Sequence, residues 1–139
     1  MAQIVDGRLW KNFSIDEICN KSASEDVKFI FTPEAKEHGD MMQELRDYYG
    51  KPMIVSSWYR TPSFNKKIGG ASNSAHLDGR ATDIKGIPES KFRELAIVWN
   101  NICVQHGMIG GVGYYKWGMH FDSHSDKFGY KAFSVRDYR

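Results

Sequence analysis

Two histidines and an aspartate carry the chemistry that this sequence offers most directly. His76 and Asp83 stand seven positions apart in Ser-Ala-His-Leu-Asp-Gly-Arg-Ala-Thr-Asp, and His120 follows in Trp-Gly-Met-His-Phe-Asp. Two imidazoles and one carboxylate suit zinc, and they leave a fourth tetrahedral position open for water, as catalytic sites do and structural sites do not. Gly79 permits the sharp turn needed between the first two. Cys19 and Cys103 lie far from these residues in sequence and are too few for a four-cysteine site or a disulfide framework. Spacing alone does not single out the triple, because a histidine is by default a satisfied core or surface residue.

The elements that must position these residues are readable in outline. Ser14 and Glu17 form an S-x-x-E capping box flanked by Phe13 and Ile18 at staple positions, which predicts a short helix over 15–20. Thr32-Pro33 starts a second helix, with Met41, Met42, Leu45, Tyr48 and Tyr49 as its apolar stripe and Gly50 as its stop. The run 52–58 reads as a buried strand. Thr61-Pro62 opens a short helix ended by Gly69-Gly70, the stretch 70–75 is loop, and 81–85 is a strand. The longest helix spans 89–106, with Phe92, Leu95, Ala96, Trp99, Ile102, Cys103 and His106 on one face. Two strands, 109–115 and 118–123, are joined by a tight turn, and the aromatic, basic tail adds an edge strand near 132–136. Helices and hairpin-type strands without strict alternation predict an α+β fold, a small antiparallel sheet flanked by helices.

Residues Ser74 to Asp83 match S-x-H-x-x-G-x-A-x-D at every fixed position. In this the sequence resembles the zinc D-Ala-D-Ala carboxypeptidases and related M15-type peptidases. The resemblance extends to Asn12-Phe13-Ser14 with Glu17, to Ser57-Trp58-Tyr59-Arg60-Thr61-Pro62 with Asn65, to Gly69–Ser74, and to Met119-His120-Phe121-Asp122. It covers about residues 12–123 and is strongest to the small single-domain versions carried by phages and prophages. It implies one peptidase domain over 1–139 with a hedgehog/D-Ala-D-Ala-peptidase-like fold.

The resemblance also implies that His76, Asp83 and His120 bind Zn2+, which would lower the pKa of a bound water to about 7 and polarise the scissile carbonyl. It places Arg60 near substrate, where a planar guanidinium can clamp a terminal carboxylate through two parallel hydrogen bonds; a structural ion pair is the alternative. Tyr59 is a candidate wall of the substrate groove, with Trp58, Tyr114, Tyr115 and Trp117; filling the core of a small sheet is the other role open to these aromatics. Ser74 either meets substrate beside the metal or caps its own loop. Related enzymes often carry Glu, Asp or His two or three residues before the last ligand, where this chain has Gly118 and Trp117. Asp122, on the same side of a strand as His120, is the candidate substitute for moving the proton, with His124 as a second; orienting a ligand imidazole is the other role open to Asp122. His38 and His106 read as ordinary residues, and Cys19 and Cys103 as buried, inert thiols.

Composition sets the remaining bounds. Nineteen basic and seventeen acidic residues give +2, so the solvated cations Lys66, Lys67, Lys127, Lys131, Arg136 and Arg139 do not predict a nucleic-acid partner. No apolar run approaches the roughly 20 residues of a membrane span, and the first residues lack a secretory signal. The expected protein is a monomer, cytoplasmic as synthesised; the resemblance implies a phage-encoded protein that acts on wall peptidoglycan after release. The resemblance implies a peptidoglycan stem peptide as substrate, cut as a D-Ala-D-Ala carboxypeptidase, a D,D-dipeptidase or an L-Ala-D-Glu-type endopeptidase would. A metal-binding module of the same fold without catalysis is the competing expectation.

Overall fold

The computed structural model describes residues 10–14, 17–18, 33–60, 62–70, 74–124 and 129–139. Ser14 and Glu17 close the capping box: the Ser14 N–H donates to Glu17 Oε1 at 3.0 Å and the Glu17 N–H to Ser14 Oγ at 3.2 Å. Phe13 and Ile18 beside it are buried. The rest of the helix predicted over 15–20 lies outside the described residues.

Helix α1 (Pro33–Tyr49) begins at the proline, whose missing N–H costs nothing in a first turn. Ala35, His38, Met41, Met42 and Leu45 make its buried stripe, one turn earlier than the sequence suggests. Tyr48, expected in that stripe, is exposed, and its hydroxyl donates to Glu94 Oε2 at 2.7 Å. Strand β1 (Ile54–Ser57), helix α2 (Pro62–Lys67) and strand β2 (Ala81–Lys85) follow. A 3-10 turn at Glu89–Lys91 leads into helix α3 (Phe92–Gln105), and then come β3 (Gly111–Tyr115), β4 (Gly118–Asp122) and β5 (Ser134–Asp137). No helix among the described residues is long and apolar enough to cross a membrane.

The five strands form one sheet in the order β1-β2-β4-β3-β5. Neighbours pair antiparallel except β3 and β5, which pair parallel. The fold is therefore α+β with a mostly antiparallel sheet, and the tail strand near 132–136 is present at Ser134–Asp137 as an edge.

Strand alternation divides the sheet into two faces. Val55, Ile84, Val112, Met119 and Phe121 point to one face and are buried with Met41, Met42, Leu45, Leu95 and Trp99 from α1 and α3. Each such side chain contributes about 1.5–3 kcal/mol by leaving water. The register puts Asp83 opposite His120, His120 opposite Gly113 and Gly113 opposite Arg136, so one row of the other face carries most of the charged groups.

Candidate metal centre

The stretch from Ser74 to Asp83 folds as its residue types require. Ser74 Oγ accepts the His76 N–H at 3.2 Å and caps a 3-10 turn over Ala75–Asp78. Gly79 closes that turn in the left-handed region, φ 69°, where a side chain would be strained. The Trp58 indole N–H donates to the Gly79 carbonyl at 3.0 Å, and the Arg60 N–H donates to the His76 carbonyl at 3.0 Å. The turn is thus tied to the chain that leaves β1, and β2 then delivers Asp83 onto the sheet face beneath His76.

His76, Asp83 and His120 come together there, with one donor atom from each lying within 4.8 Å of the others. His76 Nδ1 lies 2.6 Å from the Trp58 carbonyl oxygen, which makes Nδ1 the protonated nitrogen and leaves the Nε2 lone pair for the site. His76 Nε2 is 3.3 Å from Asp83 Oδ2, and His120 Nδ1 is 2.8 Å from Asp83 Oδ1. A tetrahedral zinc with bonds near 2.05 Å has ligand–ligand edges of about 3.3 Å. The donor set and its spacing therefore fit a zinc ion.

The charges around this triad are arranged in pairs. Arg60 Nη2 is 3.6 Å from Asp83 Oδ2. Its guanidinium is fixed from behind, Nε donating to Ser57 Oγ at 3.1 Å and Nη1 to Asn65 Oδ1 at 3.4 Å. On the far edge of the His120 ring, Nε2 is 3.0 Å from Asp122 Oδ2, and Arg136 pairs with the same oxygen. Burial opposes charge on Asp83, but His76 and His120 outweigh it and hold the carboxyl well below the usual range. Burial also opposes charge on His120, and the hydrogen bonds with Asp122 and Asp83 override it, lifting the imidazole to about 9. Burial dominates at His76 and lowers it.

The sequence profile of the Peptidase M15 family matches residues 11–122. The chain belongs to the M15 peptidase family. No curated protein sequence matches it. Among solved structures, it is similar to the crystal structure of the Serratia marcescens L-Ala D-Glu endopeptidase ChiX, at 21% identity with a TM-score of 0.46, over 76% of this chain and 98% of that one.

This M15 peptidase departs from several residue-level expectations. Trp58 does not wall a groove: it is buried in the core, edge-on to Phe13 and stacked on Trp10. Tyr114 turns the same way and packs on Phe92. Tyr59 is partly buried against the core. Tyr115 and Trp117 stack on each other at 4.6 Å, and Tyr138 stacks on the other side of Tyr115 at 5.0 Å. An added Cβ at Gly113 would meet the Tyr115 and Tyr138 rings and the His120 Cβ, so this stack borders the centre. Ser74 Oγ takes the capping role, one of the two open to it, and His124 lies partly exposed beyond the end of β4.

The sequence reading missed two residues and, at Gly118, the reason for a departure it had noted. Arg136, counted among the solvated tail cations, turns inward to Asp122. Only the β3–β5 register puts it there, so no local signal marks it. His38, taken as ordinary, is fully buried, with Nδ1 2.8 Å from Ser123 Oγ and Nε2 3.0 Å from Thr82 Oγ1. Its position one turn ahead of Met41 and Met42 was the available clue. Gly118 has φ 152°, and a Cβ there would stand 2.1 Å from the Ile84 carbonyl oxygen. The acid or histidine that related enzymes carry near this position has no room at 118.

Proposed function

We propose that this chain is a zinc-dependent peptidase cleaving stem peptides of bacterial peptidoglycan, in phage-associated lysis. The observation that carries the reading is the convergence of His76 Nε2, Asp83 and His120 Nδ1 on one polar sheet face beside a fixed arginine. Those three residues would hold zinc. Bound there, zinc supplies Lewis acidity toward the scissile carbonyl and lowers the pKa of the attacking water.

The remaining steps belong to the chain. Asp83 contributes one negative charge against the cation, and Arg60 steadies it. Arg60 also faces substrate: a guanidinium locked by Ser57 and Asn65 has lost its rotamer freedom in advance and can bind an anionic group with little further ordering. A stem-peptide carboxylate is that group. Asp122 serves by orientation. It is fully buried and meets His120 across the ring from the donor nitrogen, which favours holding the imidazole over taking a proton from water. His124, two residues beyond that strand, is the imidazole we assign to proton transfer.

A second reading has its own observation. Gly118 cannot carry the missing acid, which favours a domain that keeps the metal for binding alone. Zinc-loaded protein incubated with peptidoglycans of several chemotypes decides between them, with fragments identified by mass spectrometry and His76→Ala run alongside. Fragments released only by the unmutated protein establish the peptidase, and their masses name the bond. Intact walls with one zinc per chain establish the binding module.

A further inference from the structure

The family match ends at residue 122, and β5 lies beyond it. This strand nevertheless reaches the centre. Arg136 stands in the same register row as Gly113 and His120, and its Nη2 pairs with Asp122 Oδ2, the oxygen that also meets His120 Nε2. We propose that Arg136 is a positioning residue of the metal centre, fixing the Asp122 carboxylate so that His120 presents Nδ1 beside Asp83. The proposal rests on the zinc reading above.

The physical case starts from Asp122. Its side chain is fully buried, and a buried carboxylate persists as an anion only when paired. His120 can share that role only while Nε2 carries its proton. Once Nδ1 donates a lone pair to a cation, His120 is a neutral imidazole and no longer neutralises Asp122. Arg136 is a cation whatever the state of His120. It keeps Asp122 an acceptor, and an acceptor at Nε2 fixes the tautomer with a free Nδ1.

The placement of Arg136 supports this over a casual surface pair. Its side chain is 18% exposed, and its Nε is buried without a hydrogen-bond partner among the described residues. An orphaned donor is a cost that the carboxylate contact must offset. The guanidinium also lies 5.6 Å from the centre of the Tyr130 ring, which covers it from the tail side. Opposite, Gly113 leaves no side chain between Arg136 and the His120 strand. A chain of contacts thus runs from Arg60 through Asp83 and His120 to Asp122 and Arg136, with two cations enclosing two carboxylates.

The test compares the full chain with Arg136→Met, Arg136→Lys and Asp122→Asn. Zinc affinity is read by competition with a chromophoric chelator, the ligand field by the visible spectrum of the cobalt-substituted protein, and folding by the melting temperature of the metal-free form. Arg136→Met and Asp122→Asn should each weaken zinc binding by about 10–100-fold and alter the cobalt spectrum. Their double variant should lose little more than the weaker single one, because both act through one contact. Arg136→Lys should recover part of the affinity. Wild-type affinity and spectrum in a folded Arg136→Met, with only a lower melting temperature, would reduce Arg136 to a clamp for β5 and overturn the proposal. If Arg136→Met does not fold, Arg136→Lys and Asp122→Asn decide: unchanged affinity in both overturns it. Unmutated protein that takes up no zinc or cobalt overturns the metal reading itself, a different result from either.

Discussion

On β2, Thr82 and Ile84 enter the core while Asp83 between them meets two imidazoles and a guanidinium. On β4, Met119 and Phe121 enter the core while His120 and Asp122 stand on the opposite side. The two faces of one sheet differ in how their groups are satisfied. The core face is held by area removed from water and tolerates polar groups only in closed sets, such as His38 with Thr82 and Ser123. The polar face buries carboxylates that are stable only because cations and imidazoles enclose them. A change on the first face should therefore appear in stability, and a change on the second in chemistry.

The largest effect expected is that of His76→Ala. Peptide cleavage should fall by at least about 10³-fold, equivalent to about 4 kcal/mol of transition-state stabilisation, because the donor set is broken. The melting temperature of the metal-free form should move far less. A metal-free form that collapses would show that His76 serves folding first. On the other face, Phe121→Ala should cost about 3–5 kcal/mol in urea unfolding. The molecules that remain folded should bind zinc with unchanged affinity; a large loss would mean that the two faces are not separable.

Two histidines sharpen the contrast through pH. Burial, followed by Arg80, holds His38 well below 6.5, so the unfolded chain binds a proton that the folded one does not. Its contribution is complete above about pH 6.5 and is lost as pH falls below it. His38→Gln should flatten the stability slope between pH 7 and 5. His106 behaves oppositely. Burial opposes its charge, but Glu44 and Glu37 outweigh it, at 2.6 and 3.2 Å, and raise it. Its contribution is complete below about 6.5 and is lost as pH rises through the raised value. His106→Gln should cost no more than about 1 kcal/mol at pH 6, and less as pH rises. Equal slopes for the two variants would contradict the sign of one of them. The smallest effect concerns Cys103, buried beside Gly110, where burial and then Asp122 push the thiol up to about 12. Alkylation followed by peptide mapping should find Cys103 unmodified until the protein unfolds.

Much of this was legible because it is local. The Ser14–Glu17 box, Pro33 at a helix start, Gly50 at its end and the sharp turn at Gly79 are decided within a few residues by capping and by glycine's freedom at positive φ. The alternation that puts Asp122 on the side of His120 is equally local. Where the reading failed, the deciding partner was distant. Trp58 could be read as groove or core until Trp10, Phe13 and His38 enclosed it. Tyr48 fitted the stripe by spacing, but the fully buried part of that stripe stops a turn earlier, at Leu45.

The sequence by itself determined the donor types, the turn that carries His76, the strand that carries Asp83, and the family. Those follow from short-range rules and from a motif whose every fixed position is present. Only the tertiary structure decided which nitrogen of each histidine faces the donors, why Gly118 admits no side chain, and that Arg136 in the last strand closes the row of charges. The His76 nitrogen is set by the Trp58 carbonyl and the others by strand register, and all of these are contacts between residues far apart in the chain.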